Sequence, residues 1–539
     1  MQSSGIHAVQ IVFLLLLLFI VAFGALARKL KTPYPIVLVV GGLLLSFVPG
    51  IPKITLNPDV VFFIILPPLL YSAAWLTSWR EFSYHLVSIC LLAFGLVTFT
   101  VVGVTQAGRW FLPGFDWRMG LVLGAVVAPT DAIAATSIAR RVGLPKRIVD
   151  ILEGESLLND ASALLALEFG LALLVGGQTP TVASGFERLA YLTIVGLLVG
   201  LVIGEIVHTI EDHIEDAPIE IVLSILTPYV AYLAADAIRA SGVLAVVACG
   251  LYLSRKSSHF FSANVRLQAL AVWDSLTFIL NGLVFVLIGL QLPYVLGAIR
   301  DHTLHTLLVY GAAFSAFLIV LRIIWMFPGA YMANVIRRRL LHQKERMPGG
   351  RQIFVVGWTG MRGVVSLAAA IALPQSLSNG APFPQRNMII FLAFSVILVT
   401  LVLQGLTLPP LIRALGLAGV SESNTEEKEG RRAVLEAALE HLEQSRREYG
   451  SESAEVYEDL AQHYQHRLAI LNDGGEDGAD SAGTVFYRRF VDLSRELLHV
   501  ERRTAVRLRN ERRISDELLR ELEHELDLNE ARLAAKEKR

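Results

Sequence analysis

The sequence predicts an all-α polytopic membrane protein of about 13 transmembrane helices followed by a soluble C-terminal helical tail, and three observations predict it. The 539 residues are 54% hydrophobic and only 18% charged, with a mean hydropathy of +0.55, more apolar than domains that fold in water. Apolar stretches of spanning length recur up to residue 414 and then stop, whereas residues 421–539 are dense in Glu, Arg and Lys and hold no run able to cross a bilayer. The loops between the stretches alternate in Lys and Arg content. Runs this long fit helices, because the strands of a membrane barrel alternate over about 10 residues. The predicted domains are therefore a membrane domain over 1–414 and a charged helical tail over 415–539.

The first stretch, HAVQIVFLLLLLFIVAFGALA, lacks a basic leader and a clear cleavage signal and reaches spanning length before Arg28, Lys29 and Lys31, so it is read as a transmembrane helix rather than a removed export signal. Further spans are expected near 33–51, 59–77, 84–106, 117–139, 155–176, 187–208, 218–237, 241–254, 268–292, 305–332, 353–374 and 387–414. The 241–254 stretch is short enough to be tilted or re-entrant. One set of loops carries Arg28, Lys29, Lys31, Arg80, Arg140, Arg141, Lys146, Arg147, Arg255, Lys256, Arg266, Arg337, Arg338, Arg339, Lys344, Arg346 and Arg351. The other carries Lys53, Arg109, Arg118, Arg188, Arg239, Arg300 and Arg386. Cytoplasmic loops collect basic residues, so the first set is cytoplasmic, with the N-terminus outside and the tail inside. The acidic loop at 209–218 carries little topological weight. In the tail, leucines at helical spacing among opposite charges predict amphipathic helices, and NDGGEDGADSAG at 472–483 predicts a break. Cys90 and Cys249 lie in apolar segments without metal-ligand spacing, which argues against zinc or a disulfide scaffold. A net charge of -1 excludes the basic excess of a nucleic-acid binder.

Ionisable residues inside spans are costly and mark pathways or partners. Asp131 follows Pro129 in VLGAVVAPTDAIAATS. Pro129 removes a donor and clashes with the preceding turn, so the helix breaks there, and its freed carbonyls join Thr130 and Asp131 as oxygen ligands suited to a hard cation. In GESLLNDASALLALEFG, Ser156 and Asp160 stack on one helical face, while Glu155 and Asn159 stack on a face rotated by about 100°. One face can hold an ion while the other is tied to a structural partner. A second break is expected around Arg362, where Gly357, Gly360 and Gly363 weaken the helix. Breaks in the fifth and twelfth spans would correspond if the domain holds two inverted six-helix repeats whose interrupted helices cross.

PTDA at 129–132, GESLLNDA at 154–161 and GMRG at 360–363, supported by LPP at 66–68 and NGLVFVLIGLQL at 281–292, resemble the monovalent cation:proton antiporter family of bacterial and animal sodium/proton exchangers. The resemblance implies a core domain rocking against a dimerisation domain, with the site at crossed, broken helices. It implies Asp160 as the carrier carboxylate, with Ser156, Thr130 and Asp131 assisting at the monovalent cation. It also implies a Glu155–Arg362 pair that holds Asn159 in place, and a structural ion pair for Arg322. Where several relatives carry an acid four residues after the second proline of LPP, this chain has Ser72, which departs from the pattern. Ser72 and Glu168, an extra acid two turns beyond Asp160, stand as further site candidates.

Loss of hydration penalises the charged form of any carboxylate, and a bound cation favours it, so sodium and protons can compete for one aspartate. The expected function is sodium/proton antiport, with lithium or potassium as other candidate ions; the resemblance implies that it is electroneutral, since Asn159 rather than a second acid precedes Asp160. A potassium/proton antiporter is the near alternative. A cation channel or a membrane-anchored sensor represents another class, although neither a carbonyl filter such as TVGYG nor a phosphate-binding loop occurs. The expected partners are the cation, the proton, the bilayer of the plasma membrane and a second copy of the chain. No enzyme activity, organic cofactor or nucleic acid is expected.

Overall fold

The computed structural model describes all residues except 1, 50–56, 112–113, 176–181, 215, 261–262, 300–302, 344–346, 378–379, 420–422, 450–453, 474–481, 512, 516–517, 520–521, 524 and 531–539. Lys53, Arg300, Lys344, Arg346 and most of the 472–483 break thus lie outside the described residues. The chain separates into two compact units, Met1–Ser421 and Glu422–Arg539. The first runs past the last apolar stretch because Leu417 is buried and the Gly419 N–H donates to the Gly143 carbonyl at 3.1 Å.

In the first unit the helices are α1 (Gln2–Lys29), α2 (Tyr34–Leu45), α3 (Val60–Leu76), α4 (Trp79–Trp110), α5 (Trp117–Val127), α6 (Ala132–Val142), α7 (Lys146–Val175) and α8 (Val182–Glu211). They continue with α9 (Ala217–Ala237), α10 (Gly242–Phe260), α11 (Ala263–Leu290), α12 (Leu304–Arg339), α13 (Gly350–Trp358), α14 (Val364–Ile371) and α15 (Arg386–Ala414). Among the described residues eight helices are long and apolar enough to cross a membrane, or nine if the bent pair α5/α6 is one span. The predicted spans at 33–51, 59–77 and 353–374 correspond to the shorter helices α2 and α3 and to the interrupted pair α13/α14, and that at 241–254 to α10. Among the described residues the only strand-like pairing is a bridge between Ser376 and Pro382.

Leu14, Leu18 and Val21 of α1 and Ile194, Leu198 and Val202 of α8 are each more than half exposed. Such apolar stripes are costly in water and suited to lipid, which gains nothing from hiding them. The break after α5 follows from Pro129, and local capping completes it. Asp131 accepts the Ile133 N–H at 2.8 Å to start α6, and Gly143 at φ 73° ends α6 in the left-handed region that favours glycine. The second break runs from Thr359 to Gly363, between α13 and α14. The Asp131 N–H donates to the Met361 carbonyl at 2.8 Å, so the two breaks meet backbone to backbone.

Packing divides the helices into two groups, α1–α3 with α8–α11, and α4–α7 with α12–α15. The breaks belong to the second group and face the first. In the second unit α16 (Ser423–Tyr449) packs on α17 (Ala454–Asp473) and α17 on α18 (Ala482–Asn510), and Arg502 reaches Asp527 and Glu530 at 2.6 and 2.8 Å.

Candidate ion-binding site

The two faces of α7 take different surroundings. Glu155 and Asn159 are each 1% exposed and point into protein. One Glu155 oxygen accepts from the Thr130 hydroxyl at 2.8 Å and from Arg322 at 2.5 Å, and the other accepts a second Arg322 N–H at 2.8 Å. The Asn159 amide donates to the Thr130 hydroxyl at 2.7 Å and to the Thr130 carbonyl at 3.1 Å. This network of charge-assisted bonds holds the peptide after Pro129 against α7. Ser156 and Asp160, on the neighbouring face, line a cavity of about 240 Å³. The Ser156 hydroxyl accepts the Ala132 N–H at 3.3 Å, which ties the start of α6 to the same face.

The pairing of Glu155 with Arg362, implied by the resemblance, is corrected: Glu155 pairs with Arg322 of α12. Gly360 makes this possible, since a Cβ there would collide with the Arg322 side chain. Arg362 instead donates to the Val127 carbonyl at 3.2 Å and to the Gly360 carbonyl at 2.5 Å. Its own N–H donates to the Thr400 hydroxyl at 3.1 Å. Arg362 is thus spent on carbonyls that the two breaks leave without helical donors, a demand that lies nearer to it than Glu155 does.

Asp131 does the complementary work at the positive ends. Its carboxylate caps α6 and touches Gly363 at the start of α14, where any Cβ would collide with it. Negative charge is favoured at helix N-termini and positive charge at C-termini, so Asp131 and Arg362 compensate the interrupted helices from opposite sides.

Thr130 lines the cavity, but its hydroxyl already donates to Glu155 and accepts from Asn159, leaving one lone pair for anything else. Ser72 lines the cavity and donates to its own helix at the Leu69 carbonyl, 3.0 Å away. Glu168 is not brought to the site. Eight residues beyond Asp160, about 12 Å along α7, its half-exposed carboxylate pairs with Arg188 at 3.1 Å. Reading the residues one by one missed Thr400, a neutral hydroxyl inside an apolar run with no signal of its own. It also missed Ser366, 1% exposed, lining the cavity with no hydrogen-bond partner for its hydroxyl among the described residues. The opposite wall is α11, whose Trp273, Asp274, Thr277 and Asn281 recur at helical spacing.

Comparison with known proteins agrees with this architecture. The sequence pattern of the family described as sodium/hydrogen exchanger, transmembrane, matches residues 14–414. The chain belongs to the sodium/hydrogen exchanger family. It is a multi-pass membrane transporter, not an enzyme, and its family's activity is cation/proton antiport. Rv2287 of Mycobacterium tuberculosis, described as an uncharacterized Na(+)/H(+) exchanger, is 35% identical over 542 residues, covering 98% of this chain and 97% of its own. YjcE of Escherichia coli, described likewise, is 31% identical over 554 residues, covering 97% of this chain and 99% of its own. The sodium proton antiporter MjNhaP1 of Methanocaldococcus jannaschii shares the fold, with a TM-score of 0.58 at 20% identity, covering 76% of this chain and 98% of that one.

Proposed function

We propose that this exchanger moves sodium against protons by competition for the Asp160 carboxylate. The observation that carries the reading is the division of α7: the Glu155/Asn159 face is locked in a buried ion-pair network, while the Ser156/Asp160 face is open to a cavity. Asp160, the Ser156 hydroxyl, Asp131 and the remaining lone pair of Thr130 supply the hard oxygen ligands that an alkali cation takes. A proton on Asp160 removes the charge that holds the cation, and a bound cation opposes the proton. If only the occupied carrier changes sides, exchange is obligatory without covalent chemistry, and the reading calls for no organic cofactor.

Alternating access fits the positions of two of the cavities along α7, those that lie between the two helix groups. Glu153, Ser156, Leu157 and Asp160 line the larger one, while Ala161, Ser162, Leu164, Leu165 and Glu168 line a second of about 150 Å³. Each lies between the two helix groups, and the helix passes from one to the other at Asp160–Ala161. A rocking of one group against the other would close one cavity and open the next. The larger cavity reaches Arg140, and with the basic loops read as cytoplasmic its mouth opens, in this proposal, to the cytoplasm. The finer topology of the proposal is about 13 spans in inverted repeats, N-terminus outside, tail cytoplasmic, in the plasma membrane as a homodimer.

The test is pH-gradient dissipation in proteoliposomes on adding sodium, lithium or potassium. Cation-dependent proton movement that Asp160→Asn abolishes is expected, and the ion that drives it separates sodium from potassium exchange. Full activity in Asp160→Asn would remove the site from this residue. Membrane potential generated by exchange would refute electroneutrality.

A further inference from the structure

The cavity in front of Asp160 has two walls of different character. The wall built from α6, α7 and α14 carries Asp131, Ser156 and Asp160, whose contacts are described above. The facing wall, α11, is apolar along most of its length but presents Asp274, Thr277 and Asn281 to the cavity on one face. Asn281 is buried and lines the cavity together with Thr130, Asp131 and Gly363 of the two breaks. This puts Asn281 at the depth of the crossed breaks. Asp274 lies seven residues earlier, about 10 Å toward the mouth along the helix axis. It is exposed and has no ion pair and no side-chain hydrogen bond among the described residues. An unpaired carboxylate here is not explained by fold stability, because removing it breaks no hydrogen bond or ion pair among the described residues. A second polar group with no partner among the described residues, the buried Ser366 hydroxyl, lines the same cavity. At about 240 Å³ the space holds a cation with several waters, each taking roughly 30 Å³ in the liquid.

We propose that Asp274 is a capture carboxylate for hydrated monovalent cations at the mouth of the cavity, on the wall opposite Asp160. A cation entering between the helix groups meets Asp274 first, keeps most of its water, and passes along Thr277 toward Asp160, where the dehydrated site begins. Arg140, which lines the same cavity, is already paired with Glu153 at 2.6 Å. The proposal rests on the antiport reading and adds a side to it: Asp274 acts on cations arriving from its own mouth.

A unit charge about 10 Å from the bound ion, across a wet mouth, changes apparent affinity by about two- to tenfold. In everted membrane vesicles, where the cytoplasmic face is outside, the sodium concentration for half-maximal proton movement is measured at low ionic strength. Asp274→Asn is expected to raise it about threefold, Asp274→Lys to raise it further, and Asp274→Glu to restore it, with saturating sodium overcoming the loss. Choline chloride at about 0.3 M shortens the Debye length to well under 10 Å and should erase the difference. Sodium supplied to the opposite face in right-side-out vesicles should show no shift. Asp274→Ser serves as a second neutral variant should Asp274→Asn fail to accumulate. Wild-type half-saturation in the neutral and lysine variants, or an equal shift from both faces, overturns the proposal and leaves antiport standing. A wild-type protein that moves no protons with any cation refutes antiport, and the proposal with it.

Discussion

Replacing Arg322 by methionine tests the central network most directly. Arg322 is 1% exposed, and two of its N–H groups go to the two oxygens of Glu155, which is equally buried. Methionine keeps much of the volume but leaves a buried carboxylate with only the Thr130 hydroxyl. Removing one partner of a buried pair costs about 3–5 kcal/mol, because the other charge is left uncompensated. For a chain of this size the apparent melting temperature in detergent should fall by roughly 3–5 °C. Adding Glu155→Gln should recover most of the loss, since the stranded charge is gone and the remaining cost is lost hydrogen bonding of about 1 kcal/mol per bond. The cycle formed by the wild type, both single variants and the double variant should therefore give a coupling of at least about 2 kcal/mol. The same cycle with Arg362→Met should be close to additive in the melting temperature, because Arg362 spends its donors on Val127 and Gly360. Coupling of Glu155 to Arg362 with additivity toward Arg322 would refute the pairing.

Three further outcomes follow from the same geometry. Gly363→Ala drives a Cβ into the Asp131 carboxylate; overpacking of this kind costs about 1–3 kcal/mol, and a protein that elutes as the wild type but exchanges at least tenfold more slowly is expected, with wild-type exchange counting against the role of Asp131 at the α14 terminus. Thr130→Val removes the donor to Glu155 and the acceptor for Asn159, so exchange should fall sharply and Thr130→Ser should restore it; equal activity of both would mean that Asn159 is positioned by other means. Glu168→Gln breaks only an exposed pair worth under about 1 kcal/mol, and unchanged sodium dependence is the expected result; loss of transport would return Glu168 to the site.

Much of this protein was legible residue by residue. Pro129 removes a helical donor wherever it lies, so a break was readable without knowing what crosses it. Spacing of four residues places Glu155 with Asn159 and Ser156 with Asp160 on any helix, and the structure keeps that division. Arg322 was legible as a lone charge in an apolar run. Thr400 was not, because a threonine in such a run differs from its neighbours only once something donates to it.

What the sequence by itself determined is therefore local: where apolar runs start and stop, which residues break them, and which side chains share a face. These follow from backbone sterics and helical periodicity, which act within a few residues. Only the tertiary structure decided that Glu155 takes Arg322 across the Cβ-less gap at Gly360, that Arg362 turns to orphan carbonyls, and that Glu168 stands apart from the cavity. Those outcomes depend on how far a side chain reaches between packed helices, and on which unsatisfied group lies closest when it arrives.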